Sequence, residues 1–153
     1  MKGSPLVEKV LRRHQDLVGQ RAIWEPFWED IASYVMPRKS GTIFNKTRNP
    51  GAESETMLFD STAVRANMIL ANGQLSWMTP LESRWFSMDP PKSMEEMDKV
   101  EQWFKTCTEV VQAELARSNF YTEIHELYLD RGCFGTAAIL VEGGRAQALN
   151  FTK

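Results

Sequence analysis

A chain of 153 residues with 42% apolar and 25% charged side chains is long enough for one domain with a core, and too apolar to be disordered. Its formal net charge of −2 excludes attraction of the whole molecule to nucleic acid, so any DNA contact must come from a local basic patch. Cys107 and Cys133 lack CxxC spacing and exclude a disulfide scaffold; they read as reduced, packed thiols, which suits assembly in a cytoplasm. No apolar stretch follows Lys2 as a secretion signal would require, and the longest strictly apolar run, Ala137 to Val141, is too short to span a bilayer. No membrane partner is expected.

In chain order, Val10, Leu17, Trp24 and Ile31 recur every seven residues, with Phe27, Trp28 and Val35 beside them. That spacing predicts one face of a long helix within a helical region 1–36. Pro26 should kink or restart it, and Pro37 should stop it. Residues 37–55 read as a loop rich in turn formers. It carries Arg38, Lys39, Lys46 and Arg48 before the first acid at Glu53, a local excess of +4 in an acidic chain.

A second helical region is predicted over 60–132. Asp60 is placed as an N-cap for a helix from Thr62 to Met78, with Ala66, Ile69, Leu70 and Leu75 as its buried face. Gly73 is read as a point of close helix approach, and Thr79-Pro80 as the stop. Arg84 to Met88 suggests a short strand or extended segment. Ser93 and Glu96 have capping-box spacing. Met94, Met97, Val100, Trp103, Phe104, Cys107, Val110, Val111 and Leu115 then follow at threes and fours, the clearest helical pattern in the chain. Asn119 is assigned the left-handed C-terminal position of that helix. A short helix from Tyr121 to Arg131 should bury Ile124, Leu127 and Tyr128 and close at Gly132. Over 135–152, Gly143-Gly144 between two β-type runs predicts a hairpin. The fold class is therefore α+β, mainly α: long amphipathic helices, then a C-terminal β-hairpin. An isolated hairpin is marginal in water, so this one should start a larger α/β region.

Chemistry-bearing motifs are few. His14 and His125 have no metal-type spacing, and no GxxxxGK[ST] phosphate loop occurs. Gly132-Cys133-Phe134-Gly135 reads as a helix-to-strand turn. The acid pairs Glu29/Asp30, Glu95/Glu96 and Glu123/Glu126 read as solvated faces. No catalytic, metal or cofactor residue is assigned, and the chain is not expected to be an enzyme. Two sets of candidates remain. Arg38, Lys39, Lys46 and Arg48 could meet DNA phosphates, form intersubunit ion pairs or simply face solvent. Trp24, Trp28, Trp85 and Trp103 are large enough to serve as core or subunit-interface aromatics.

Several strings in order resemble the head-to-tail connector (portal) family of short-tailed bacteriophages. They are Arg21 to Pro37 (RAIWEPFWEDIASYVMP), Leu58-Phe59-Asp60-Ser61-Thr62-Ala63, Ala71-Asn72-Gly73 running on to Thr79-Pro80, Ser83-Arg84-Trp85-Phe86, Ser118-Asn119-Phe120-Tyr121 with His125-Glu126, and Phe134-Gly135-Thr136-Ala137-Ala138. The resemblance implies a structural ring subunit, commonly one of twelve copies, at one capsid vertex of the virion. Its partners would be further copies of itself, capsid, scaffolding, terminase and tail proteins, and double-stranded DNA passing non-specifically through the channel. Family members run to several hundred residues. This chain is therefore expected to represent the N-terminal, wing-type part of such a subunit, as a fragment or truncated product. The competing expectation is a small helical adaptor module that binds a protein partner.

Overall fold

The computed structural model describes residues 4–37, 39, 60–91 and 98–149. The chain divides into two units, Met1–Asp60 and Ser61–Lys153. Among the described residues it is mainly helical and closes on a two-stranded hairpin, the α+β class expected. No helix among them is long and apolar enough to cross a membrane.

In the first unit, α1 (Pro5–Ala22) and α2 (Glu25–Val35) replace one continuous helix. The restart has a local cause. Pro26 has no N–H to donate and is tolerated only in a first helical turn, so the chain turns at Ile23-Trp24 and begins again. The Trp28 amide donates to the Trp24 carbonyl at 3.0 Å, and Arg21 reaches across the break to Glu25 at 3.2 Å. The seven-residue stripe exists, but its α1 part is not buried: Leu6, Val7, Val10, Leu11, Leu17 and Val18 are exposed. Ala32 of α2 is fully buried.

The second unit contains α3 (Thr62–Met78), α4 (Asp98–Arg117), α5 (Phe120–Phe134), β1 (Ala138–Glu142) and β2 (Arg145–Leu149). Helix α5 is its centre, with α3 along one side and the hairpin and α4 on others. It accordingly carries most of the core: Phe120, Tyr128, Asp130, Cys133 and Phe134 are buried, while Ile124 and Leu127 are half-buried.

Helix α3 differs from its predicted burial. Ser61, not Asp60, occupies the N-cap position, and the face against α5 is Asn67 and Ala71 with half-buried Leu75. Ala66, Ile69 and Leu70 are exposed. Close helix approach sets this choice: beside Gly132 the seam takes Asn67, and Leu70 reaches it with its Cδ2 end. The Asn67 amide donates to the Leu129 carbonyl at 3.1 Å, and the hydroxyls of Thr79 and Tyr128 meet at 3.3 Å. The glycine that permits the approach is Gly132, where a Cβ would overlap Asn67 Oδ1; a Cβ at Gly73 would meet nothing within 4 Å.

Arg84 to Met88 forms no strand. Side chains of α4 take the place of a ladder: Thr108 Oγ1 accepts the Met88 amide at 3.0 Å and donates to Phe104 O at 2.9 Å. Gln112 donates to Ser83 O at 2.9 Å, and Arg84 pairs with Glu109 at 2.9 Å. Met94, Met97 and the Ser93/Glu96 capping box lie outside the described residues.

Asn119 is not left-handed; at φ −81° it is the N-cap residue of α5. Nor does Gly132 close that helix. It stays helical for the Asn67 contact, α5 runs on to Phe134, and Gly135 takes the left-handed closing position at φ 77°. Gly143 and Gly144, at φ 57° and 77°, form the two-residue turn of the hairpin, whose antiparallel register pairs Glu142 with Arg145 and Ala138 with Leu149.

Candidate functional site

The hairpin is held by side chains that copy a neighbouring strand. Asn119, at the head of α5, donates through Nδ2 to Ala146 O at 2.7 Å, and its Oδ1 accepts the Ala146 amide at 2.9 Å. One turn later Glu123 accepts the Ala148 amide at 2.7 Å. The outer edge of β2 is thereby hydrogen-bonded at both backbone groups of Ala146 and at the Ala148 amide, and Ala146 is buried. Neither residue was singled out from sequence for this role. The available signal was an amide and an acid one helical turn apart, which alone reads as a cap and a solvated face.

Between α4 and the hairpin lies an apolar groove of about 400 Å³. Its lining includes Val110, Val111 and Leu115 from α4, Phe120 from α5, and Val141 and Ala146 from the strands. The ion pair Arg117–Glu114, at 2.9 Å, sits at its rim. A concavity lined this way accepts aliphatic side chains. It holds neither histidine nor cysteine.

Groups with reactive chemistry lie elsewhere and are occupied structurally. His125 Nε2 bonds Asn72 Oδ1 at 2.9 Å, between α5 and α3. Cys133 is buried two helical turns further along α5, about 12 Å by helix rise. No metal-holding group of three or more His, Cys, Asp or Glu occurs among the described residues.

Of the basic candidates, Arg38, Lys46 and Arg48 lie outside the described residues; Lys39 is half-buried, and its amide bonds Met36 O at 2.9 Å. The tryptophans differ in their surroundings. Trp85 lies parallel to Phe120, centroids 6.2 Å apart, and donates to Tyr121 OH at 3.2 Å. Trp28 is half-buried with the Arg21 guanidinium 5.9 Å from its ring. Trp24 and Trp103 are mostly exposed, at 56% and 61%. Trp77 is more exposed still at 88%, and with Ile69 and Leu70 it makes an apolar face on α3, whose sole charged residue is Arg65. The described residues thus present exposed apolar surface in quantity, and none of them form a metal-holding group of three or more His, Cys, Asp or Glu.

The chain is 33% identical over 135 residues to a "Probable portal protein" of Bordetella phage BPP-1, an alignment covering 86% of this chain and 24% of that relative. It is 27% identical over 135 residues to a "Portal protein" of Salmonella phage epsilon15, covering 88% of this chain and again 24% of the relative. The chain therefore spans well under half the length of these relatives. The profile of the family described as "Bacteriophage head to tail connecting protein" matches residues 7–153, nearly the whole sequence, and the chain belongs to that family.

Proposed function

We propose that this chain serves as the N-terminal, outward-lying part of a ring-forming phage connector subunit. The ring sits at one vertex of the capsid, passes double-stranded DNA during packaging and ejection, and holds the tail. The observation that carries this reading is the family match across residues 7–153. Two features support it. Connector work requires surface and not bond chemistry, and the described residues offer exposed aromatic and aliphatic faces on α1 and α3. The portal relatives also extend far beyond the matched region, so channel-lining and terminase-docking parts would come from the rest of such a subunit. Its partners are then further copies of itself and capsid, scaffolding, terminase and tail proteins, met during assembly in the host cytoplasm. Arg38, Lys39, Lys46 and Arg48 are proposed to face DNA or a neighbouring subunit.

A chimaera tests the assignment. Residues 7–149 replace the matching region of the Bordetella phage relative, and the product is imaged by negative-stain electron microscopy. Closed rings are expected. A soluble, folded chimaera that never forms rings would contradict the proposal.

A further inference from the structure

The two edges of the hairpin are not equivalent. Glu142 and Arg145 flank the two-residue turn as a hydrogen-bonded pair, so the next residue of β2, Ala146, turns its amide away from β1. Its bonds to Asn119, and that of Ala148 to Glu123, follow this alternation. Their cross-strand partners are Val141 and Ile139, which must turn their amides and carbonyls to the opposite edge. There, among the described residues, no backbone or side-chain group meets them. That edge has no proline, and its one charge, Glu142, stands at the turn, so Ala138, Ile139, Leu140 and Val141 themselves carry neither form of protection. On the helix-facing side, Val141 borders the apolar groove beside Val110 and Val111.

We propose that the outer edge of β1 receives a third strand, supplied by the part of a full-length connector subunit outside these 153 residues. The sheet then grows in the order β2-β1-β3, and not as a meander continuing from β2. A meander would have to displace the Asn119 and Glu123 bonds to Ala146 and Ala148. A strand beside Val141 sets alternate side chains over the groove, so its inward positions are aliphatic. The source follows from two observations. The edge exposes just two outward-turned residues, too short a seam to hold a separate chain by itself, whereas a strand of the same polypeptide is already at high effective concentration. The relatives contain ample further sequence for it, since the match covers 24% of each.

The inference rests on the connector reading, and backbone amide exchange separates the two. In the 153-residue chain, Ala146 and Ala148 should exchange slowly while Ile139 and Val141 exchange fast. In the chimaera, Ile139 and Val141 should become as slow as Ala146, even in its unassembled subunit. Val141→Pro removes an outward-facing amide and leaves the β1–β2 ladder intact. In the chimaera it should return Ile139 to fast exchange while Ala146 and Ala148 stay slow. Rings that assemble with Ile139 and Val141 still fast would overturn the third strand and leave the connector reading standing. Slow exchange in a chimaera that forms no rings would do the reverse. Protection of Ile139 and Val141 that rises with concentration of the 153-residue chain would assign the edge to a second copy and overturn the same-chain source.

Discussion

Asn119 shows how much one side chain can hold. It satisfies both backbone groups of buried Ala146, groups that would otherwise be desolvated without partners. Asn119→Ala should destabilise the second unit by about 1–3 kcal/mol, and the loss should appear first as faster exchange at the Ala146 amide. Unchanged exchange there would contradict the bracket. The glycines make a sharper pair. Gly73→Ala adds a methyl to an open helix surface and should stabilise the chain by about 0.5–1 kcal/mol. Gly132→Ala gains the same helix propensity but drives its Cβ into Asn67, whose amide is fixed to Leu129 and whose Oδ1 is buried without a hydrogen bond. Its midpoint should fall. Adding Asn67→Ala should restore it, giving a favourable coupling of roughly 1 kcal/mol or more in a double-mutant cycle by denaturant melts. Additive effects would mean that the two residues do not meet.

At the scale of elements, α4 carries its own pH dependence. Lys105 Nζ lies 2.6 Å from Glu101 Oε1, and this hydrogen bond, aided by the lysine charge, holds the Glu101 carboxyl below its ordinary value. A carboxyl depressed in the folded state stabilises it above the unfolded glutamate range, and that contribution fades as pH falls through the folded value. The pair is exposed, so the effect is small and weakened by salt. Carboxyl titration by NMR checks it: Lys105→Met should raise Glu101 to its ordinary value, and an unmoved titration would remove the pair. The elements also mark where sequence reading works. The Pro26 restart, the periodic α4 and the Gly143-Gly144 hairpin follow from local rules that act within a few residues. The buried face of α3 does not. Apolarity pointed to Ile69 and Leu70, but a seam narrow enough to need Gly132 buries Asn67 and Ala71, while Leu70 reaches it with its Cδ2 end and stays exposed. That width is a property of α5, and nothing within α3 encodes it. Asn119 was misplaced for the same reason, since its partners in β2 lie 27 residues downstream.

For the whole molecule, the exposed apolar surface of the described residues fits the proposed connector role. A connector subunit works by being held among neighbours, so surfaces that would be liabilities on a lone protein become contacts in the assembly. Fold class was legible from pattern alone, and the family from ordered strings spread along the chain. The candidate contact residues were less so. Exposure of Trp24, Trp77 and Trp103 depends on which helices pack together, and a tryptophan count could not separate them from half-buried Trp28 and Trp85. The central claim is a place in the virion, and immunogold labelling of purified particles with an antibody to this chain tests it directly. The account predicts label at a single vertex, the one that carries the tail. Label spread over the whole shell, or virions that lack the chain, would contradict it.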